Sequence, residues 1–319
     1  MLYHRSLNGV SPIDLYTHRP EVLGHLDQGQ DARLYAYDYS VPAGAGAAAV
    51  DPRVHRLARF PVAYETGPAM ALAQQLALTP LVGSRWGRLG SYEVDYTGLV
   101  PAHMNQVAYL LRAVEESPAH LRLLQMAAVK NVVARHEAPF QDLRPVAVIP
   151  GLFEAPIRVF EVPDPSPHAF VAASTRIGEG LPGAALLVSP QFDFRREALV
   201  PAAAPAAHGT TPGTARVVSA RPDRLQIDVD APDGGYLVVL ETYDPGWRAT
   251  VDGAAAAVVP ANILFRGIAV APGRHAVEMI YRPPGLVAGL WVSLVAMLSA
   301  LWLAWRTARP GAGASAVRP

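Results

Sequence analysis

The feature that most constrains this chain is an apolar segment close to its C-terminus. From Pro283 to Trp305 the sequence PPGLVAGLWVSLVAMLSALWLAW contains no charged residue. A helix needs about 20 consecutive apolar residues to cross the hydrocarbon core of a bilayer. We therefore predict a transmembrane helix at residues 284–305, with the lipid bilayer as its partner. The alternative is a helix buried in a protein core, but such a helix usually keeps a polar face.

The charges beside this segment predict its orientation. Arg306, Arg309 and Arg318 follow it, and no acidic residue does. Basic residues are enriched on the cytoplasmic side of membrane helices. We therefore expect a cell-membrane protein with a cytoplasmic tail at residues 306–319 and with the bulk of the chain outside the cytoplasm.

Overall charge and motif content exclude several classes of function. The 27 basic and 27 acidic residues give a formal net charge of zero, so there is no electrostatic signature of nucleic-acid binding. There is no cysteine, and no H-E-x-x-H, G-x-S-x-G or P-loop motif is present. The sequence therefore predicts no metal site and no cofactor, and it does not identify catalytic residues.

Residues 1–200 have the pattern of a mixed α/β region. The stretch PAHMNQVAYLLRAVEE places apolar residues at helical spacing, and short apolar strands punctuated by prolines follow it. The glycines of residues 41–52 formally match G-x-G-x-x-A. A dinucleotide-binding loop needs a buried strand before it, a helix after it and a later acidic ligand for the ribose. Pro42 and Pro52 bracket this stretch too closely for that arrangement, so we predict a flexible loop.

The second half of the chain has the pattern of an antiparallel β-sandwich. A Pro/Ala/Gly-rich linker at 201–213 precedes it. Residues 214–282 contain seven predicted strands with a turn every 8–12 residues. These strands are TARVVSA, DRLQIDVD, GYLVVLET, WRATV, AAVV, ILFRGIAV and RHAVEMIY. The predicted fold class is α+β, with this sandwich placed between the mixed region and the membrane helix.

The stretch ETYDPGWRATVDG (241–253) raises the question of a binding site. Pro245 and Gly246 predict a type II turn, with positive φ at the glycine. Asp252 and Gly253 predict a two-residue hairpin turn. Trp247 is then either an anchor that packs into the sandwich or a residue that contacts a ligand.

A second candidate site lies in the two aromatic stretches RLYAYDY and GSYEVDY. Flat aromatic rings beside charged side chains can stack on sugars, although half-buried strands are also rich in tyrosine. Glu93 and Asp95 lie on one face of a predicted strand, where two carboxylates can also serve a glycosidase. The candidate glycan-contact residues are Tyr35, Tyr37, Trp86, Tyr92, Glu93, Asp95 and Tyr96.

Three stretches together carry a resemblance to a known family. They are LVVLETYDPGWRATVDG, PANILFRGIAVAPGRHAVEMIYRPPG and the apolar helix with GLWVS. In this order they resemble the YfhO family of bacterial membrane proteins, with weaker similarity back to Gly87. The residues that match the family pattern are Tyr243, Pro245, Gly246, Trp247, Asp252, Gly253, Asn262, Gly273, His275 and Tyr281.

This resemblance implies a role in the cell envelope. The family is polytopic, is similar to GT-C-type glycosyltransferases and is associated with glycosylation of envelope polymers. This sequence contains one apolar segment, so the resemblance implies an accessory part that is not catalytic alone. The partners that it implies are a polytopic bundle and an envelope glycan or lipid-linked sugar. The alternative is a non-enzymatic glycan-binding or structural module anchored in the membrane.

Overall fold

The computed structural model describes residues 17–29, 31–37, 40–41, 58–59, 66–79, 82–93, 102–136, 140–153 and 155–308. The predicted loop at 41–52 lies outside these ranges except for Val41, and only residues 306–308 of the predicted tail lie inside them.

Helices and strands both occur, as the predicted α+β class requires. The helices are α1 (Thr66–Leu76), α2 (Ala102–Ala113), α3 (Pro118–Met126), α4 (Gly180–Val188) and α5 (Leu286–Ala308), with short 3-10 helices at Glu21–His25 and Val82–Trp86. The strands of the first half are β1 (Arg33–Ala36), β2 (Ser40–Val41), β3 (Ala58–Arg59), β4 (Leu89–Gly90), β5 (Val129–Ala134), β6 (Arg144–Ile149), β7 (Ile157–Glu161), β8 (Ala169–Ala172), β9 (Ser174–Ile177) and β10 (Glu197–Val200). The strands of the second half are β11 (Gly213–Arg221), β12 (Arg224–Ala231), β13 (Gly235–Thr242), β14 (Trp247–Val251), β15 (Ala254–Ala256), β16 (Val259–Ala261), β17 (Phe265–Val270) and β18 (Gly273–Tyr281).

A five-stranded mixed sheet forms the centre of the first half. Its order is β4-β1-β5-β7-β6, parallel from β4 to β5 and antiparallel from β5 to β6. Side chains alternate across β1, so Tyr35 and Tyr37 enter the core beneath α2 and α3, while Leu34 and Ala36 enter a second cluster on the opposite face. Both faces of this sheet are therefore covered.

The second sheet has nine antiparallel strands in the order β15-β14-β18-β12-β11-β8-β13-β17-β16. Its interior strand β8 comes from before the predicted linker at 201–213 and pairs with both β11 and β13. Residues 201–212 contain no helix or strand, and Gly213 is the first residue of β11. The linker does not, however, separate two independent sheets, so the predicted unit 214–282 lacks a strand of its own sheet.

This second sheet curls into a half-barrel, which corrects the predicted sandwich of two stacked sheets. Its outermost strands β15 and β16 are separated in the chain only by residues 257 and 258, so the two edges must approach each other there. Ile227, Val239 and Met279, from different parts of the sheet, share one apolar cluster inside the curl. The stretch AAVV, predicted as one strand, instead contains the last residue of β15, the two connecting residues and the first residue of β16.

The outer face of the half-barrel packs on the first half of the molecule. Tyr236, Val238 and Leu240 of β13 are fully buried in the same core as the side chains of α2 and α3. Leu237 and Val239 point into the curl. Burial on both faces explains why GYLVVLET is a continuous apolar run rather than an alternating one.

The last described element, α5, follows β18 after a linker of four residues. Residues Leu286–Arg306 have a mean hydropathy of 2.2, and none of this segment is buried. Trp291 is 63% exposed and Leu301 is 59% exposed. The alternative of a buried core helix is therefore wrong, whereas the length and composition are those of a helix that can cross a membrane.

Candidate functional site

Five polar side chains, centred on Glu241, form a connected group that is here called the Glu241 cluster. Asp31 precedes β1, Arg33 is the first residue of β1, and His168 comes directly before β8. Glu241 lies near the end of β13, and Arg266 is the second residue of β17. The cluster therefore forms only where the half-barrel meets the first half of the molecule.

Glu241 is the centre of this cluster. Its Oε1 atom lies 3.1 Å from Arg33 Nη2 and 3.0 Å from His168 Nε2. The other ring nitrogen of His168, Nδ1, lies 2.9 Å from Asp31 Oδ1. A ring flanked by carboxylates donates both bonds when each of its nitrogens carries a proton. His168 thus links a carboxylate of β13 to one that precedes β1.

These contacts set the charge state of Glu241. Burial by itself would raise the pKa of this carboxyl, but the hydrogen bond with His168 and the positive charges of Arg33, His168 and Arg266 outweigh it and lower the pKa to about 2. A carboxylate with so low a pKa is a poor proton acceptor at neutral pH. The cluster is therefore suited to binding and positioning rather than to proton transfer.

Arg266 connects the cluster to the tryptophan of the ETYDPGW stretch. Its guanidinium carbon lies 3.6 Å from the centre of the Trp247 ring, and its Nε donates to the Thr242 carbonyl over 3.0 Å. Burial lowers the pKa of Arg266 to about 10 despite the opposing effect of Glu241. The buried guanidinium is held by the ring, a carbonyl and a carboxylate together.

The cluster lies at a cleft of about 370 Å³. Its polar lining includes Asp31, His168, Glu241 and Arg266, and its apolar lining includes Leu89 and Val218, which are 41% and 51% exposed. Carboxylates, a cation and apolar surface in one cleft of this size suit a polar organic ligand. Among the described residues, no group of three or more acidic or histidine side chains is arranged to hold a metal ion.

The Pro-Gly turn differs from the expected type II. Trp247 N donates to the Asp244 carbonyl over 3.1 Å, so a turn is present, but Gly246 does not have positive φ. Glycine is needed here for a different reason. A Cβ at Gly246 would lie 2.6 Å from the Tyr281 ring and 2.7 Å from the Arg282 carbonyl oxygen. The glycine lets the turn pack against the last residue of β18.

Trp247 and Tyr281 belong to this packed corner. The two residues are register partners of β14 and β18, and their ring centres are 5.3 Å apart. Trp247 is 7% exposed. Burial and a hydrogen bond with Asp244 raise the pKa of Tyr281. The tryptophan therefore anchors the corner and also forms part of the cleft wall.

The Asp-Gly stretch forms the predicted two-residue hairpin turn between β14 and β15. Asp252 and Gly253 both have positive φ, 52° and 83°. Asp252 Oδ2 lies 2.7 Å from His275 Nδ1, and its Oδ1 accepts from Ala276 N over 2.8 Å. The bond with His275 is the main reason that the pKa of Asp252 is lowered, and the same bond raises the pKa of His275.

We predict that replacing Asp252 with Asn lowers the pKa of His275. In the unchanged protein the NMR titration of His275 should have its midpoint above the ordinary value of about 6.5. The raised pKa means that the contribution of His275 to stability is present below this value and is lost as the pH rises through its folded pKa. The change Asp228→Asn, on β12, serves as the matched control and should leave the midpoint unchanged. An equal His275 midpoint in D252N and the unchanged protein would contradict the assignment.

Asn262 joins the half-barrel to β10. It is fully buried with φ of 50°, its Oδ1 accepts from Leu199 N over 2.8 Å, and its backbone N donates to the Leu199 carbonyl over 2.7 Å. Asparagine tolerates this left-handed backbone better than most residues. Gly273, which opens β18, has φ of 125° and so also meets a backbone requirement.

Three of the candidate glycan-contact tyrosines lie inside the core. Tyr35, Tyr37 and Tyr92 are 0–2% exposed. The ring of Tyr35 contacts those of Tyr37 and Tyr92, at 4.5 and 6.4 Å between centres. The Tyr92 hydroxyl donates to the Leu123 carbonyl over 2.6 Å. In this conformation the three rings pack the core and are not open to a ligand.

The other members of that candidate set are scattered. Trp86 is half-buried in the cluster on the opposite face of the five-stranded sheet, with the Arg85 guanidinium 5.3 Å from its ring centre. Glu93 is partly exposed. Asp95 and Tyr96 lie outside the described residues. The structure thus does not bring the two aromatic stretches together into a surface site.

Comparison with known proteins supports the resemblance of the second half. Residues 207–293 match the sequence model of the family described as bacterial membrane protein YfhO. The match includes β11 to β18 and the start of α5, and therefore Glu241 and Arg266. The other three members of the Glu241 cluster lie upstream of it. No curated protein and no solved structure gives a significant match.

Proposed function

We propose that this YfhO-related chain is the extracytoplasmic accessory part of a membrane glycosyltransferase-like protein that acts on cell-envelope polymers. In this proposal α5 anchors the chain in the membrane. The cleft beside the Glu241 cluster binds part of the acceptor glycan, and a polytopic bundle supplies the catalytic groups and the lipid-linked sugar.

One observation carries the proposal: the polar cleft lies close to the start of α5, the helix that we propose crosses the membrane. Trp247, in the cleft wall, is the register partner of Tyr281, which ends β18, and α5 starts at Leu286. A ligand in the cleft is therefore held within a few residues' length of the membrane surface. Such a position suits a glycan that receives a sugar from a carrier in the lipid.

The state of Glu241 supports a positioning role rather than an autonomous catalytic one. A carboxyl with a pKa of about 2 is ionised at neutral pH and does not act as a general acid. Arg33 and His168 already contact its Oε1 atom. The cluster therefore presents a fixed pattern of charges to a ligand.

The test uses the full chain reconstituted in lipid nanodiscs, with envelope-polymer fragments as acceptor and a polyprenyl-phosphate sugar as donor. We expect binding of the acceptor fragments by isothermal titration calorimetry and no sugar transfer by mass spectrometry. Sugar transfer by the chain alone would refute the accessory role.

A pair of variants on β11 tests whether the cleft is where the glycan binds. Ser219 lines the cleft, so Ser219→Trp should fill it and weaken binding by about tenfold or more, the effect of losing about 1.4 kcal/mol. Thr214, on the same strand, lies outside the cleft lining, so Thr214→Trp should bind like the unchanged chain. Equal binding by both variants would show that the glycan binds elsewhere.

A second candidate function is a purely structural module, which the internal contacts of the family-motif residues favour. Trp247 packs on Tyr281, Asp252 bonds to His275, and Asn262 bonds to the backbone of β10. Each of these contacts holds the half-barrel together without a ligand. Absence of glycan binding by the unchanged chain in the same calorimetry would favour this second function.

A further inference from the structure

The end of the half-barrel nearest α5 is defined by three connected pieces of chain, here called the juxtamembrane end. They are the turn 221–223, the turn 244–247 and the linker 282–285. Tyr281 N donates to the Asp223 carbonyl over 2.8 Å, and Arg282 N donates to the Gly246 carbonyl over 2.9 Å. Both turns are thus fixed to the residues that lead into α5.

The short linker limits how far this end can stand from the membrane. Four residues span about 14 Å at most when fully extended, and this linker is not free because Arg282 is bonded to Gly246. The headgroup region of a bilayer occupies about 5–8 Å on each side of the hydrocarbon core. If α5 crosses the bilayer from Leu286, the juxtamembrane end lies at the level of the lipid headgroups.

The juxtamembrane end carries an excess of unpaired positive charge. Arg221, Arg248 and Arg282 are exposed, and within the described residues no ion pair involves any of them. The Arg248 guanidinium bonds to carbonyl oxygens of the adjacent turn, the nearer of which, that of Pro245, is 2.8 Å away. These carbonyl bonds leave the positive charge of Arg248 uncompensated.

The acidic groups at this end do not cancel that charge. Asp244 Oδ1 accepts from Gly246 N over 2.7 Å, and its side chain also bonds to Tyr281. Glu278 pairs with a fourth arginine, Arg224, through bonds of 2.5–2.7 Å. Asp223 is the exposed carboxylate that remains in the turn. Hydrogen bonds from neutral donors leave Asp244 ionised, so the three unpaired arginines face two carboxylates, Asp223 and Asp244, and this end keeps a net positive charge.

The opposite end of the half-barrel provides a contrast. There Arg274 pairs with Asp230 at 3.1 Å, and Asp233 accepts from the Thr210 hydroxyl. Along the outer face Arg216 pairs with Asp228 at 2.9 Å. Elsewhere on this sheet, exposed arginines have carboxylate partners. The unpaired ones collect at the end of the half-barrel that leads into α5.

We propose that the juxtamembrane end binds the phosphate groups of anionic phospholipids through Arg221, Arg248 and Arg282. A guanidinium matches a phosphate in shape and charge and forms paired hydrogen bonds with it. Each arginine held at an anionic surface adds about 1 kcal/mol, which is about a fivefold preference for that surface. Contact of three arginines with the lipid fixes the tilt of the half-barrel relative to the membrane. Because Arg221 also lines the cleft, this tilt places the opening of the cleft towards the membrane surface.

The test uses the full chain in nanodiscs. Because the sequence contains no cysteine, a single introduced cysteine can be labelled specifically. A single cysteine at Ala220 carries a fluorophore beside the turn 221–223, and one at Ala271 carries it at the opposite end. The discs contain phosphatidylcholine alone or phosphatidylcholine with phosphatidylglycerol, together with a lipid that bears a nitroxide quencher on its headgroup. We expect stronger quenching at position 220 than at 271, and a rise at 220 alone when phosphatidylglycerol is present.

Substitution of the three arginines separates lipid recognition from simple tethering. In the variant R221Q/R248Q/R282Q, phosphatidylglycerol should no longer increase the quenching at position 220. Added salt should abolish the same increase in the chain that keeps all three arginines. The control R216Q/R274Q removes two arginines that are already paired and should keep the response. Circular dichroism checks that each variant is folded. Quenching at 220 that is independent of lipid charge, or equal to that at 271, would overturn the proposal.

Discussion

A chain shortened to residues 207–319 should fail to form the half-barrel, although the family match lies within it. The shortened chain lacks β8, which pairs with β11 and with β13 from Tyr236 to Val239. It also exposes Tyr236, Val238 and Leu240, each of which contributes about 1.5–3 kcal/mol when buried. These losses equal a large part of the 5–15 kcal/mol that stabilises a typical domain. We expect no cooperative unfolding transition and a weak near-ultraviolet circular dichroism signal.

A chain cut in the linker provides the matched control. With a protease site inserted after Ala203, cleavage breaks the chain at nearly the same place but leaves β8 present. The two pieces should remain associated and unfold in one transition close to that of the uncut chain. A normal cooperative transition in the 207–319 chain would show that β8 is dispensable.

The change Glu241→Gln should destabilise the protein by about 3 kcal/mol at neutral pH. It removes the carboxylate that compensates two arginines, Arg33 and Arg266, which are 7% and 5% exposed. Breaking a buried ion pair costs about 3–5 kcal/mol, and the lower end applies because the Glu241 side chain is 30% exposed. In thermal unfolding we expect a loss of about 6–12 °C in Tm.

The pH dependence of this loss is a second signature of Glu241. A folded pKa of about 2 against an ordinary value of about 4.5 means that the carboxylate stabilises the fold above pH 4.5. That contribution is lost as the pH falls towards 2. The difference between the unchanged protein and E241Q should therefore shrink by more than half between about pH 6 and pH 3.

A glutamate of the same sheet whose partner arginine is exposed provides the control for this experiment. Glu278 pairs with Arg224 on the outer face, so Glu278→Gln should cost less than about 1 kcal/mol at any pH. An E241Q deficit that stays constant with pH would show that Glu241 acts through packing and not through its charge.

The strands of the second half were predictable because turn chemistry marks their ends. Pro-Asp-Gly, Asp-Pro-Gly and Asp-Gly turns separate runs of the correct length, and the hairpin at Asp252 follows from local preference alone. The position of β8 was not predictable in this way. Its pairing with β13 joins residues that are about 70 positions apart in the sequence, and nothing in AFVA indicates which strand it pairs with. The connection at residues 257 and 258 was missed because an Ala/Val run contains no turn residue.

The Glu241 cluster was missed for a related reason. Its members come from four separate strands or their ends, so spacing along the chain carries no signal. One signal was available: Arg266 in ILFRGIAV and Glu241 in LVVLET are charged residues within apolar strands, and buried charges are usually paired. The sequence pattern pointed to the tyrosines instead. These are buried because successive side chains of β1 enter two different apolar cores.

The outer strands of both main sheets share a feature that bears on self-association. The half-barrel ends in β15 and β16, which have three residues each, and Pro260 in β16 offers no N–H. The five-stranded sheet ends in the two-residue β4 and in β6, which carries Pro145. Long unpaired edges invite strand exchange between copies, a hazard that grows when molecules share one plane and one orientation. These blunted edges oppose aggregation by sheet extension, so crowding in a membrane favours contacts through side chains and helices instead.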